Sequence, residues 1–451
     1  MKLTWRNIEL PNFGVTEEMP QISKEVYETR CRNYYDKCKS DYVVIYGDRE
    51  HFANLHYLTE FDPRFEEALL ILGPKNTKYL LVGNEGLMYK NVVKPNVEVI
   101  LCQMFSLMGQ DRTLSSSLYE ILKEIGMKKG STVGICGWKY LDEDDDLGIK
   151  SYFAPSFLLA HIKAIIGSME GVTDVTSILM HPTKGMRAYN EIEQIAVFEW
   201  GATRASSALW KIVKGTTPGV SEMKAVSNMG YSGEPLTAYV MYASGKDEIV
   251  GLRSPNSKVI QKGDGVFTAV GYRGGLSCRA GLVKKEDTEF IEKWAKPYYA
   301  GIATWYESVS VGVKGGDIYS AVKEQMEKGG LSPALNPGHL TSSDEWLHTP
   351  FRPDSTEEIQ SGMAIQCDII PTPMEDGITL NSEDSVFLAD ESLRRKIAEK
   401  YPSMWKRIQD RQDFMRSNLG LNISDDILPF SATPGYYAPL LLSPNYVITK
   451  D

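Results

Sequence analysis

The side chains best suited to chemistry in this 451-residue chain are scattered, and their spacing alone argues against several common sites. The six cysteines, Cys31, Cys38, Cys102, Cys136, Cys278 and Cys367, include no Cys-x-x-Cys pair, so reduced thiols in small core positions are expected. His51 and His56 lie close together but lack a third ligand nearby, which makes them polar loop histidines rather than a metal pair. The acidic run Asp142 to Asp146 lacks the alternating spacing and the glycine of a calcium loop, and a solvated surface turn is expected there.

Composition narrows the partners. The chain has 49 basic and 59 acidic residues and a formal charge of -10, without the clustered Lys and Arg that phosphate binding rests on. Nucleic acid is not an expected partner. The start, MKLTWRNIELPNFG, has no apolar targeting core, and no run approaches the roughly 18 apolar residues of a membrane span. A cytoplasmic protein with a small-molecule or short-peptide ligand and no membrane contact is the expectation.

The elements that must position any site fall into two parts. From Tyr42 onward, DYVVIYGDREHFANLHYLTEFDPRFEEALLILG reads as strand, turn, short helix and strand. Further apolar runs at Lys78 to Val82, Val97 to Leu101 and Val133 to Cys136 alternate with helical stretches such as Ser115 to Ile125, giving an α/β amino-terminal domain over 1–180. A boundary near His181-Pro182 opens a second domain, 181–451. In Asn190 to Lys214 the residues Ile192, Ile195, Phe198, Ala202, Ala205, Leu209 and Ile212 recur at steps of three and four, so one helix face is buried and Gly215 is placed to take a left-handed cap. Strands are expected at Ala238 to Ala243, Val266 to Val270, Ala364 to Ile370 and Gly377 to Leu388, and helices at Glu286 to Val309 and Ile318 to Lys328. An extension from about residue 391 reads as one helix, Glu391 to Leu419, with a Pro-rich end packed on the surface.

Several blocks resemble the creatinase, prolidase and aminopeptidase P superfamily. They are Asp48-Arg49-Glu50-His51, Tyr57-Leu58-Thr59 and Asp62 to Glu67 in the first domain, then KGMRAYNEIEQI, the turn TTPGVSE, and the stretch GDGVFTAVGYRGGLSCRAG from Gly263 to Gly281. The resemblance implies an α/β amino-terminal domain followed by an α+β pita-bread domain, two helix pairs on a curved antiparallel sheet. It also implies a two-metal hydrolase site of two aspartates, a histidine and two glutamates. Counted from the Gly263-Asp264 turn and Arg279, the two aspartate positions fall on Ala269 and Leu276. The histidine matches His339, the first glutamate falls on Asp368, and the last on Glu383. The acid-base histidine of the metal-free creatinase subgroup falls on Leu252, beside Arg253, and a further family histidine is represented only by His348, at a longer spacing and before Thr349 instead of Glu.

With two first-position carboxylates missing, no tightly bound dinuclear centre is expected, at most one weakly held divalent ion on His339, Asp368 and Glu383. The remaining carboxylates need a cation, supplied by Arg279 and Arg253 or by a cationic ligand. The resemblance therefore implies catalytic roles for His339, His348 and Glu383 and ligand-binding roles for Asp368, Arg279 and Arg253. Cys278 and Cys367 would lie near the site, which raises a nucleophilic thiol as an alternative to core packing. Three functions follow: a hydrolase of C–N bonds on a small amidine-like or peptide substrate without the usual metals, a binding protein without turnover, or an Xaa-Pro peptidase with an unusual metal arrangement. A homodimer is expected from the same resemblance. If the register holds, Ala269, Leu276, His339, Asp368 and Glu383 converge on one cavity and Arg279 pairs with Asp368 or Glu383.

Overall fold

The computed structural model describes residues 1–141, 148, 150–247 and 251–451, so the acidic run from Asp142 to Asp146 lies outside the described residues. The chain divides into two compact units, one of Ile22–Arg187 and one of Met1–Gln21 with Ala188–Asp451. The boundary thus falls a few residues beyond 180. The first 21 residues also leave the amino-terminal domain to which composition assigned them, because the strand Leu3–Asn7 pairs antiparallel with the last strand, Tyr446–Lys450.

In the Ile22–Arg187 unit, a six-stranded mixed sheet runs in the order Glu98–Leu101, Thr77–Val82, Ala68–Gly73, Tyr42–Gly47, Val133–Cys136, Val172–Asp174. Its central strands, YVVIYG and ALLILG, are buried at every position, as continuous apolar runs covered on both faces must be. Helix Leu118–Ile125 begins at Ser117, whose side chain closes a reciprocal capping box with Glu120.

The second unit is built on a seven-stranded antiparallel sheet. Its order is His339–Leu340, Ala364–Cys367, Asn381–Leu388, Gly275–Leu282, Gly265–Tyr272, Met241–Gly245, with Ile427–Pro429 also paired to Asn381–Leu388. Helix Ile192–Gly215 packs on the central hairpin. Gly215 does not take the left-handed cap: the chain leaves through extended Thr216, and the absent Cβ of Gly215 makes room for the Asn228 side chain. The tail is two helices, Glu391–Lys400 and Pro402–Ser417, because Pro402 cannot continue the hydrogen-bond ladder and holds Tyr401 out of helical geometry. The end of the chain is not a surface packing: Ser431, Thr433, Tyr436 and Tyr437 are fully buried. Among the described residues no helix is long and apolar enough to cross a membrane.

Candidate functional site

Strand register decides which side chains meet. Across three neighbouring strands Ala269 lies opposite Cys278, and Cys278 opposite Glu383, so all three share one face of the sheet. Leu276, two residues from Cys278, shares that face, as does Gln366, whose amide donates to Glu383 Oε1 at 2.8 Å and to the Leu276 carbonyl at 3.0 Å. His339 pairs with Gln366 at the sheet edge. It follows Gly338, whose φ of 129° is open only to glycine and whose Cβ would strike the Gln366 carbonyl.

The His339 ring is fully buried and stacked on Trp346, 4.3 Å between centroids. Its Nδ1 lies 3.1 Å from the Leu340 carbonyl, and its Nε2 lies 2.9 Å from Glu345 Oε1 and 3.6 Å from Glu383 Oε1. Glu345 carries no family role and was not anticipated. The loop from Thr341 to Trp346 returns antiparallel on Leu340, with Leu340 N–H to the His348 carbonyl at 2.7 Å and Leu347 N–H back to Leu340 at 2.9 Å, and so lays Glu345 beside the ring. The only sequence signal for it was the lengthened spacing between His339 and Thr349-Pro350.

Among the described residues, the ligand atoms of His339, Glu345 and Glu383 all lie within 4.8 Å of one another. Asp368, expected in that set, stands outside it, and Glu345 takes its place. Asp368 is half-buried with its Oδ1 sealed and without a hydrogen-bond partner. Burial pushes the Asp368 carboxyl up to about 6, although His339 pulls the other way. Burial, then the Asp368 charge, raises Glu383 well above the usual carboxylate range. For His339 burial alone would lower the pKa, but Glu345 and Glu383 outweigh it and hold the ring protonated well above its ordinary value.

The remaining expected residues go elsewhere. Arg279 pairs with neither Asp368 nor Glu383. As the neighbour of Cys278 it faces the opposite side of the sheet, where Nη2 meets both Asp384 oxygens at 2.9 and 3.0 Å and the Thr433 hydroxyl at 2.8 Å. Arg253 forms a two-pronged pair with Glu222, both bonds 2.8 Å, on the glutamate of the TTPGVSE turn. Both guanidiniums hold the fold together rather than a ligand. His348 accepts the Thr349 amide on Nδ1 at 2.8 Å and is not part of the tight cluster. Leu252 is 64% exposed. Cys278 and Cys367 are buried, which pushes both thiols far up and removes the thiolate a nucleophile needs.

No family model matches the chain, and no curated protein matches it in sequence. Solved structures match it in fold. An Xaa-Pro dipeptidase from Bacillus anthracis aligns over 82% of this chain and 96% of its own at 15% identity and a TM-score of 0.61. A prolidase from Thermococcus sibiricus aligns over the same shares at 15% identity and 0.64, and an X-Pro aminopeptidase from Thermotoga maritima over 81% and 95% at 14% and 0.62. This is the pita-bread fold. At such identity the likeness carries the fold and not the reaction. The residues present do not fit the two-metal site that the resemblance implies: Ala269 and Leu276 pack with Met241 and Cys278 into an apolar cluster, which among the described residues offers no carboxylate or imidazole for a second ion.

Proposed function

We propose that this chain is a pita-bread hydrolase of C–N bonds that works without a dinuclear metal centre, on a small amidine-like or short peptide substrate bearing a cationic group. The observation that carries the reading is the buried imidazole of His339 between Glu345 and Glu383, with Asp368 beside them. Burial and the Asp368 charge hold Glu383 toward its neutral form, and the carboxyl oxygens of Glu345, Glu383 and Asp368 offer acceptors to a substrate amine, amidine or guanidinium. Burial raises Asp368 to about 6, which leaves it ionised at neutral pH, while its carboxylate neighbours hold His339 protonated above its ordinary value. In hydrolysis, water gives a proton to the Asp368 carboxylate as its oxygen bonds the carbon. The C–N bond breaks as His339 gives its proton to the departing nitrogen. A single weakly held divalent ion, where present, would sit on His339, Glu345 and Glu383, and the reaction above does not pass through it.

A binding protein without turnover is the second reading. It is favoured by the contact between Glu345 and His339, since the ring nitrogen best placed for a substrate already faces the protein's own carboxylate. Turnover assays on Xaa-Pro dipeptides and on creatine-like compounds, with chelator and with added metals, separate these readings. Cleavage that survives chelator and is lost in His339→Ala supports the first. Saturable binding without cleavage supports the second. Cleavage only with added metal supports an Xaa-Pro peptidase of unusual metal arrangement and overturns the first.

A further inference from the structure

The Ile22–Arg187 unit carries a cavity of about 170 Å³ between the loop around Phe61–Glu67 and the segment Glu85–Tyr89. Its floor includes Glu66, which is 4% exposed. Glu66 Oε2 accepts the Gly86 N–H at 2.9 Å, and Gly83 is tolerated under the carboxylate because any Cβ there would fall on it. The other oxygen, Oε1, is sealed from solvent and has no hydrogen-bond partner among the described residues. A buried carboxylate with one bare oxygen costs free energy that packing alone does not return. The Gly86 bond accounts for one oxygen and leaves the other unexplained.

The rest of the cavity matches that oxygen to one kind of ligand. Glu67 and Glu85 also line it, so the wall is acidic and disfavours an anion. Arg64, at the same wall, is already engaged: it lies over the Tyr89 ring at 5.1 Å, donates to the Tyr89 hydroxyl at 3.1 Å and pairs with Asp62 at 3.4 Å. Phe61 and Tyr89 stand 5.4 Å apart and present aromatic surface, and Phe65 at the mouth is 72% exposed. Aromatic faces beside a carboxylate suit a cation on an apolar stem.

We propose that this cavity binds a small alkylammonium or guanidinium compound, its cationic head on Glu66 Oε1 and its carbon stem against Phe61 and Tyr89. The cavity belongs to the Ile22–Arg187 unit and His339 to the other, and the test does not depend on any hydrolytic activity.

The experiment titrates the full chain with putrescine and with agmatine, using n-butanol as the neutral control, and follows heat together with amide NMR shifts. Saturable binding of an amine, with the Gly86 amide shifting and n-butanol inert, is the expected result. Glu66→Gln, checked for an unchanged melting curve, should weaken binding about tenfold or more. Should that variant not fold, Glu85→Gln on the same wall serves instead and should weaken amine binding, and unchanged binding there overturns the proposal. The proposal is overturned by amine binding that Glu66→Gln leaves intact, by shifts confined to the His339 cluster, or by no saturable binding. A change of oligomeric state in Glu66→Gln would also overturn it, in favour of a lysine or arginine side chain from a second copy.

Discussion

His339 Nε2 lies 2.9 Å from Glu345 Oε1, a pairing made by two residues six positions apart on one returning loop. Glu345 is the largest influence raising the His339 pKa against its burial. Glu345→Gln should therefore lower the His339 pKa. Ring-proton NMR titration measures it directly, and an unchanged value would remove Glu345 from the site.

Asp368 makes a stability prediction with a definite direction. Its folded pKa of about 6 stands above the unfolded carboxylate value of 3.8, so the folded chain holds this proton more tightly than the unfolded chain. Its contribution is most favourable below pH 4 and is lost as pH rises through 6. Asp368→Asn should accordingly stabilise chelator-treated protein at pH 8 by about 2 kcal/mol and have little effect at pH 4. Urea melts at the two pH values test this, and a loss of stability at pH 8 would contradict it.

Arg279 and Asp384 form a fully buried pair that Thr433 and Ser431 complete. Removing one partner strands a charge, so Arg279→Met should cost about 3–5 kcal/mol. Arg253 is 28% exposed where it meets Glu222, so water can take over part of its role and Arg253→Met should cost less than Arg279→Met. Equal and small losses in denaturant melts would mean that Arg279 is not the keystone of that face.

Much of this architecture was legible in the sequence because it rests on local signals. The apolar run Val133–Cys136 is a strand with the bounds its composition marks, and a helix stands at Ile192–Gly215 as its periodicity predicts, although its burial extends beyond one face to Glu199, Trp200 and Thr203. The face of the sheet on which a residue lands is a different matter. It depends on pairing between strands more than a hundred residues apart and on the two-residue alternation along each strand, which turns Arg279, the neighbour of Cys278, away from Glu383 toward Asp384. Glu345 was missed because its position follows from how a loop closes on Leu340, for which no short motif exists. Likewise the Leu3–Asn7 strand belongs with the chain's last strand, a partnership that composition cannot announce.

Ala269 and Leu276 pack into an apolar cluster on the sheet face that carries Glu383, and the hydrolysis proposed above therefore runs without a pair of metal ions. Elemental analysis of the purified protein, run beside turnover before and after chelator, tests it most directly. Far less than two transition-metal ions per chain are expected, with a C–N cleavage rate that chelator leaves unchanged. About two zinc, manganese or cobalt ions per chain, with activity lost on their removal, would contradict it.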